Sequence, residues 1–282
     1  MFDWDITSDR LFHSAQAAVM RGEPAVETTT PAAQMQAYVH PEDVGALLAR
    51  MKEAVKGQVP LYHAEFRLRT STGGWVWVRA RGRVVERDGN GRALRLAGTY
   101  ADINERKAAE SRLRYLAEYD TLTDLPNRAL FHDRLQRAMV RAARGKAMAL
   151  LFLDIDHFKA VNDTLGHEAG DQLLKVFAIR MQSAVRQSDT VARLAGDEFT
   201  VILEGLNGLA DAQMLANKVV TTLREPIALA EKLMEITVSI GVALCTPGEV
   251  DDASLLRRAD AALYEAKRRG RNGYFCDETP AA

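Results

Sequence analysis

The chain has 282 residues, more than one hydrophobic core usually serves, so two domains of ordinary size are expected. Hydrophobic residues make up 47% and charged residues 27%, the composition of a globular protein, and 37 Lys+Arg against 38 Asp+Glu leave a net charge of −1. That balance gives no electrostatic footprint for nucleic acid or an anionic membrane, so neither is expected as a partner and any nucleotide chemistry must come from a local site.

The opening Met1-Phe2-Asp3-Trp4-Asp5 has no basic region followed by an apolar stretch, so no secretory signal is expected. The longest apolar run, residues 147–153, is far shorter than the about 20 residues a membrane span needs. Cys245 and Cys276 show no metal-type spacing, and two thiols in a chain this long suit a reducing compartment. The cytoplasm is the expected location.

Pro41-Glu42-Asp43 opens a predicted helix through about Lys56, with proline early and acids in the first turn. Residues 61–70 alternate, with Tyr62, Ala64, Phe66 and Leu68 on one side, and after the turn 71–74 the next strand begins at Trp75. Asp88-Gly89-Asn90-Gly91 separates Arg83-Val84-Val85 from residues 94–98, so three antiparallel strands with Gly-rich turns are predicted. Residues 104–118 form a charged helix with a thin apolar stripe at Ala108, Ala109, Leu113, Leu116 and Ala117. A solvated linker helix and a short two-stranded coiled coil both fit that stripe.

From Asp120 onward predicted helices (128–144, 170–187, 209–223, 253–269) alternate with apolar strands (147–154, 190–194, 199–203, 235–243). This is an α/β (α+β) arrangement with helices covering a sheet.

Two acidic features stand out. Residues 150–153 form a buried-type strand ending in Asp154-Ile155-Asp156, where alternation puts both carboxylates on one side. A strand-end acid can hold Mg²⁺ against substrate phosphates, or simply cap the next helix. Ala195-Gly196-Asp197-Glu198-Phe199 lies between two apolar segments, a hairpin signal that would lift two acids to the tip. Together the two sites could bind a divalent metal. No Gly-x-x-x-x-Gly-Lys-Ser/Thr loop is present, so metal and basic side chains must do what that loop does elsewhere.

Residues 120–277 resemble a GGDEF domain, the diguanylate cyclase catalytic domain, along essentially their whole length. The ordered motifs are Asp120-Thr121-Leu122-Thr123-Asp124-Leu125-Pro126-Asn127-Arg128, then Asp154-Ile155-Asp156-His157-Phe158-Lys159, Asn162-Asp163, Gly166-His167, Gly170-Asp171, the signature hairpin, residues 238–243, and residues 260–267 with Gly270-Arg271-Asn272. The resemblance implies that Asp154, the Ile155 carbonyl and Asp197 coordinate Mg²⁺, with Mn²⁺ as the alternative ion. It places Asp197 at the reacting 3′-hydroxyl with Glu198 in support, and Asn162, Asp171 and His167 in the guanine pocket. Lys159, Lys267 and Arg271 would neutralise the triphosphate, and Gly196 would permit close approach or a positive φ. The first signature residue is Ala195 where the family name has Gly, adding one methyl group. Arg186 and Asp189 occupy the family's Arg-x-x-Asp inhibitory position for cyclic di-GMP. The implied reaction joins two GTP into cyclic di-GMP across a homodimer; the competing reading is a weak domain that only binds GTP or cyclic di-GMP.

Residues 1–103 resemble a PAS domain on His40-Pro41-Glu42-Asp43, Glu65-Phe66-Arg67-Leu68, residues 74–78 and residues 98–103. A regulatory PAS domain at 1–103, a linker helix at 104–119, the cyclase domain at 120–277 and a tail at 278–282 are expected. The absence of cysteine from the first part excludes flavin–cysteine photochemistry, and His13, His40 and His63 are the imidazoles a haem would need. A small apolar ligand, or none, is the expected content of this domain, with no cofactor assigned. The sequence leaves open that the natural protein continues into a cyclic di-GMP phosphodiesterase domain.

Overall fold

Alternating buried positions build the first sheet. Tyr62, Ala64, Phe66 and Leu68 are buried along β4 (Tyr62–Arg69), and Val76, Val78 and Ala80 along β5 (Trp75–Arg87). The computed structural model describes residues 1–229, 232–245 and 251–277, and the chain divides into two units, 1–112 and 113–282. The boundary falls within one helix, and the tail 278–282 lies outside the described residues.

The first unit adds β1 (Phe2–Asp5), β2 (Arg10–His13), β3 (Thr28–Pro31) and β6 (Ala93–Asp102) to those strands. They form one antiparallel six-stranded sheet in the order β3-β2-β1-β6-β5-β4. Short helices α1 (Ala15–Met20) and α2 (Ala32–Met35) precede α3 (Pro41–Val55). The start of α3 is fixed by Pro41 in its first turn and by the His40 ring, whose Nδ1 accepts from the Glu42 N–H at 3.3 Å. Asp43 grips the Arg67 fork of β4 with bonds of 2.9 and 2.8 Å, tying α3 to the sheet. The three predicted strands are present; β1, β2 and β3 join them as four-residue strands too short to show a period.

Helix α4 (Asn104–Glu118) has no buried residue, and Leu113 and Leu116 are 67% and 43% exposed. In the second unit α5 (Arg128–Ala142), β7 (Ala147–Ile155), α6 (Phe158–Leu165), α7 (His167–Ala184), β8 (Thr190–Ala195) and β9 (Glu198–Leu206) follow in order. Then come α8 (Leu209–Leu223), the small hairpin β10 (Ile227–Leu229) and β11 (Lys232–Met234), β12 (Val238–Cys245), α9 (Asp252–Arg268) and β13 (Gly273–Asp277). The five-stranded sheet runs β13-β12-β7-β9-β8, antiparallel except for the parallel β12–β13 pair. Its faces carry separate cores: Leu151, Leu153, Phe199 and Val201 pack with α7 and α8, and Leu150, Ile202 and Ala243 with α5 and α9.

One predicted helix differs. The structure begins α7 at His167 and sets α6 before it, because Gly166 at φ +85° breaks a helical pattern that continues on both sides. Among the described residues no helix is long and apolar enough to cross a membrane.

Candidate active site

The central strand β7 carries Asp154 to the edge of the sheet. Its register sets Asp154 opposite Glu198 of β9 on one side and opposite Ser239 of β12 on the other. Gly196 and Asp197 form the two-residue turn between β8 and β9, closed by the Ala195–Glu198 pair, so Asp197 stands at the tip beside the end of β7. Gly196 uses φ +49°, a conformation that favours glycine, whereas Ala195 is exposed and needs no positive φ. The extra methyl of Ala195 therefore introduces no backbone strain.

Burial pushes the Asp154 carboxyl up, nearby Asp197 and Asp156 push the same way, and the Lys267 ammonium opposes them from 2.7 Å. The repulsion felt from Asp197 places the two acids in one electrostatic neighbourhood. Among the described residues no cluster of three or more His, Cys, Asp or Glu could enclose a metal by itself. Two carboxylates and a main-chain carbonyl fit Mg²⁺, which is usually held by one or two carboxylates with water and substrate phosphates completing its shell.

Asp156 does not share in that site. Strand alternation stops where β7 ends, at Ile155, and Asp156 turns inward to 4% exposure. Its carboxylate accepts from Ser239 Oγ at 2.7 Å, Thr237 Oγ1 at 2.7 Å and the Asn272 N–H at 3.0 Å. It caps no helix: α6 starts at Phe158, and His157 at its N-cap makes no side-chain cap. The consequence is a tether: Asp156 fixes the turn 270–272, which follows Lys267 and carries Arg271 at φ +65°.

On the other side of β7, α6 and α7 meet at Asn162 and Gly170. A Cβ on Gly170 would lie 1.9 Å from Asn162 Oδ1, so only glycine admits the half-buried amide there. Asp171 follows directly and is exposed beside it, and His167 at the start of α7 and Lys159 in the first turn of α6 are exposed as well. The arrangement offers an amide and a carboxylate close together, the pair suited to a guanine edge.

Residues 117–273 match the family described as "Diguanylate cyclase, GGDEF domain". The chain belongs to this family. Residues 10–100 match the PAS fold. Over 167 residues the chain is 46% identical to the bifunctional diguanylate cyclase/cyclic di-GMP phosphodiesterase MucR of Pseudomonas aeruginosa, covering 59% of this chain and 24% of that protein. It is 44% identical over 161 residues to diguanylate cyclase TpbB of the same species, covering 56% and 37%. The solved GGDEF domain of TpbB superposes with a TM-score of 0.54 at 43% identity, over 57% of this chain and 94% of that one. The coiled coil and GGDEF domain of DgcB from Caulobacter crescentus, solved with c-di-GMP, gives 0.57 at 33% identity, over 62% and 93%. The chain thus spans between 24% and 37% of the length of these two curated relatives.

Within the GGDEF domain, Arg193 supports the signature turn through contacts that its place in the sequence does not reveal. Its guanidinium donates to the Gly196 carbonyl at 2.9 Å and to Asp120 Oδ1 at 2.9 Å, with the side chain only 11% exposed. The same Asp120 oxygen accepts from Thr123 N and Oγ1 at 3.0 and 2.6 Å. Residues 120–128 therefore brace the signature turn, and Arg128 comes within 3.9 Å of Glu198 at their other end. The available signal was an arginine inside the apolar strand Val191-Ala192-Arg193-Leu194, since a charge there requires a partner.

Arg186 and Asp189 lie just before β8, the six-residue strand whose far end is Ala195, so roughly 20 Å of extended chain separates them from the signature turn. The Asp189 carboxylate accepts from the Arg186 N–H at 3.0 Å and the Glu204 N–H at 3.3 Å. The exposed Arg186 side chain lines a cleft of about 430 Å³ with Arg141 and Lys146.

Proposed function

We propose that this chain is a diguanylate cyclase that condenses two GTP molecules into cyclic di-GMP with release of two pyrophosphates. The observation that carries the reading is the β7–β9 register, which sets Asp154 beside the turn bearing Asp197, inside a domain of the diguanylate cyclase family. In each of two steps a 3′-oxygen attacks the α-phosphorus of the facing GTP, and the bond to the β-phosphate bridging oxygen breaks. Asp197 orients that hydroxyl and receives its proton, with Glu198 in support. Asn162 and Asp171 read the guanine edge beside His167, and Lys159, Lys267 and Arg271 offset the negative charge of the triphosphate. Asp154, Asp197 and the Ile155 carbonyl would hold Mg²⁺ or Mn²⁺, which when bound supplies Lewis-acid stabilisation of charge at phosphorus.

One domain holds one GTP, so two copies must meet face to face, and orienting the two nucleotides is a large part of the rate enhancement. The PAS-fold unit sets how often they meet, acting through α4, whose exposed Leu113 and Leu116 suit pairing with a second copy. Product inhibition acts at Arg186 and Asp189. The test is incubation of purified protein with GTP and Mg²⁺, followed by chromatography. Wild type is expected to yield cyclic di-GMP and Asp197→Ala none; GTP binding without product from wild type would refute the cyclase reading.

A further inference from the structure

Asp154 and Lys267 form an ion pair at 2.7 Å, their side chains 19% and 31% exposed. Among the described residues it is the only hydrogen bond or ion pair of either side chain. Ser239 lies opposite Asp154 on β12, but its hydroxyl donates to Asp156, which also takes Thr237 and the Asn272 N–H. On the other flank Glu198 has Arg128 at 3.9 Å. The carboxylate assigned to metal is therefore held by a cation of the chain's own.

The base of Lys267 is fixed and its arm is not. The residue sits in the last turn of α9, which is closed by the Arg271 N–H on the Ala266 carbonyl at 3.2 Å and by the Asp156 tether on Asn272. Helix α9 lies close on β12, where a Cβ on Gly241 would come within 2.1 Å of the Ala259 carbonyl oxygen. The ammonium stands at the end of a flexible four-carbon stem that is partly exposed.

Charge decides what can displace it. An ion bonding carboxylate oxygens at about 2.0–2.1 Å cannot share Asp154 with this ammonium without strong repulsion between like charges. A bare divalent cation would have to drive Lys267 off Asp154 and leave it with no anion to receive it. A complex of GTP with its metal is a net anion, so its phosphates can take the ammonium while Asp154 turns to the metal. Every charge keeps a partner in that exchange.

We infer that Lys267 holds Asp154 against bare divalent cations, so that the site admits metal together with GTP and not before it. The inference rests on the cyclase reading and its assignment of Asp154 to metal. Beyond its place at the triphosphate, Lys267 is then a positioning residue that sets the order of binding.

The experiment is titration of the full chain with manganese(II) chloride, followed by loss of the EPR signal of the hydrated ion, first alone and then with a non-hydrolysable GTP analogue. Without nucleotide, wild type is expected to bind weakly. Lys267→Met keeps an apolar stem and a good helix former, and is expected to bind manganese about tenfold more tightly or better. Lys267→Arg keeps the charge and should match wild type. Lys159→Met removes a charge from another part of the site, the first turn of α6, and should match wild type as well. An equal gain in Lys159→Met would reduce the effect to net charge and overturn the inference, as would wild type binding manganese alone as tightly as Lys267→Met. With the analogue present, wild type is expected to bind manganese tightly. If it does not, the metal site falls and the inference with it; tight binding with the analogue but no gain in Lys267→Met defeats the inference alone.

Discussion

Replacing Asp156 tests whether the second carboxylate at the end of β7 is a structural tether. In Asp156→Ala, Ser239 Oγ, Thr237 Oγ1 and the Asn272 N–H lose their shared acceptor. Hydrogen bonds to a charged group contribute roughly 1.5–3 kcal/mol each, but the two hydroxyls can rotate toward other acceptors and the three bonds are not additive. A loss of about 3–5 kcal/mol from the second unit is expected, at the high end for one substitution. Asp156→Asn keeps the shape. Its oxygen can serve Thr237 and Asn272 while its amide donates to a turned Ser239 hydroxyl, so about 1–2 kcal/mol is expected. Urea unfolding of the second unit reads the stability. Steady-state kinetics reads the second consequence, because freeing the turn 270–272 displaces Arg271 and should raise KM for GTP in the alanine variant. An Asp156→Ala protein with an unchanged urea midpoint and unchanged KM would refute the tether.

Three further outcomes are expected. Arg186→Ala should raise the cyclic di-GMP concentration needed for half-inhibition by about tenfold or more without abolishing turnover; unchanged inhibition would remove the product site from Arg186. Thr200 is fully buried on β9 and its hydroxyl has no hydrogen-bond partner among the described residues, so Thr200→Val should leave stability unchanged or raise it by about 1 kcal/mol, read as a melting temperature. Burial lowers His13 from 6.5 to about 4, so the folded first unit binds fewer protons than the unfolded chain between those values. That stability is complete above the unfolded value and is lost as pH falls toward 4, by at most about 3 kcal/mol. Melting curves at pH 7.5 and 4.5 should therefore converge more closely for His13→Gln than for wild type; equal shifts would contradict it.

What the sequence made legible is what short-range pattern encodes. The alternation of Tyr62, Ala64, Phe66 and Leu68, the start of α3 at Pro41 and the Gly196-Asp197 turn each follow from neighbours in the chain, and each stands in the structure. The four-residue strands β1, β2 and β3 are too brief for a period to register, and the three-residue β10 and β11 are shorter still. Asp156 and Arg193 were misjudged or passed over because their partners are remote: Ser239 and Asn272 for one, Asp120 for the other. A carboxylate at a strand end reads the same in sequence whether it faces a substrate or a buried hydroxyl. The end of β7 at Ile155, after which Asp156 turns to Thr237, Ser239 and the Asn272 N–H, is what separates it from Asp154.

The central claim is that Asp154 and Asp197 jointly hold a divalent cation against the phosphates of GTP. Anomalous diffraction from crystals grown with Mn²⁺ and a non-hydrolysable GTP analogue measures this directly. Manganese is expected within bonding distance of both carboxylates and of the nucleotide phosphates. Manganese bound to the analogue alone, with the two carboxylates turned away, would contradict it.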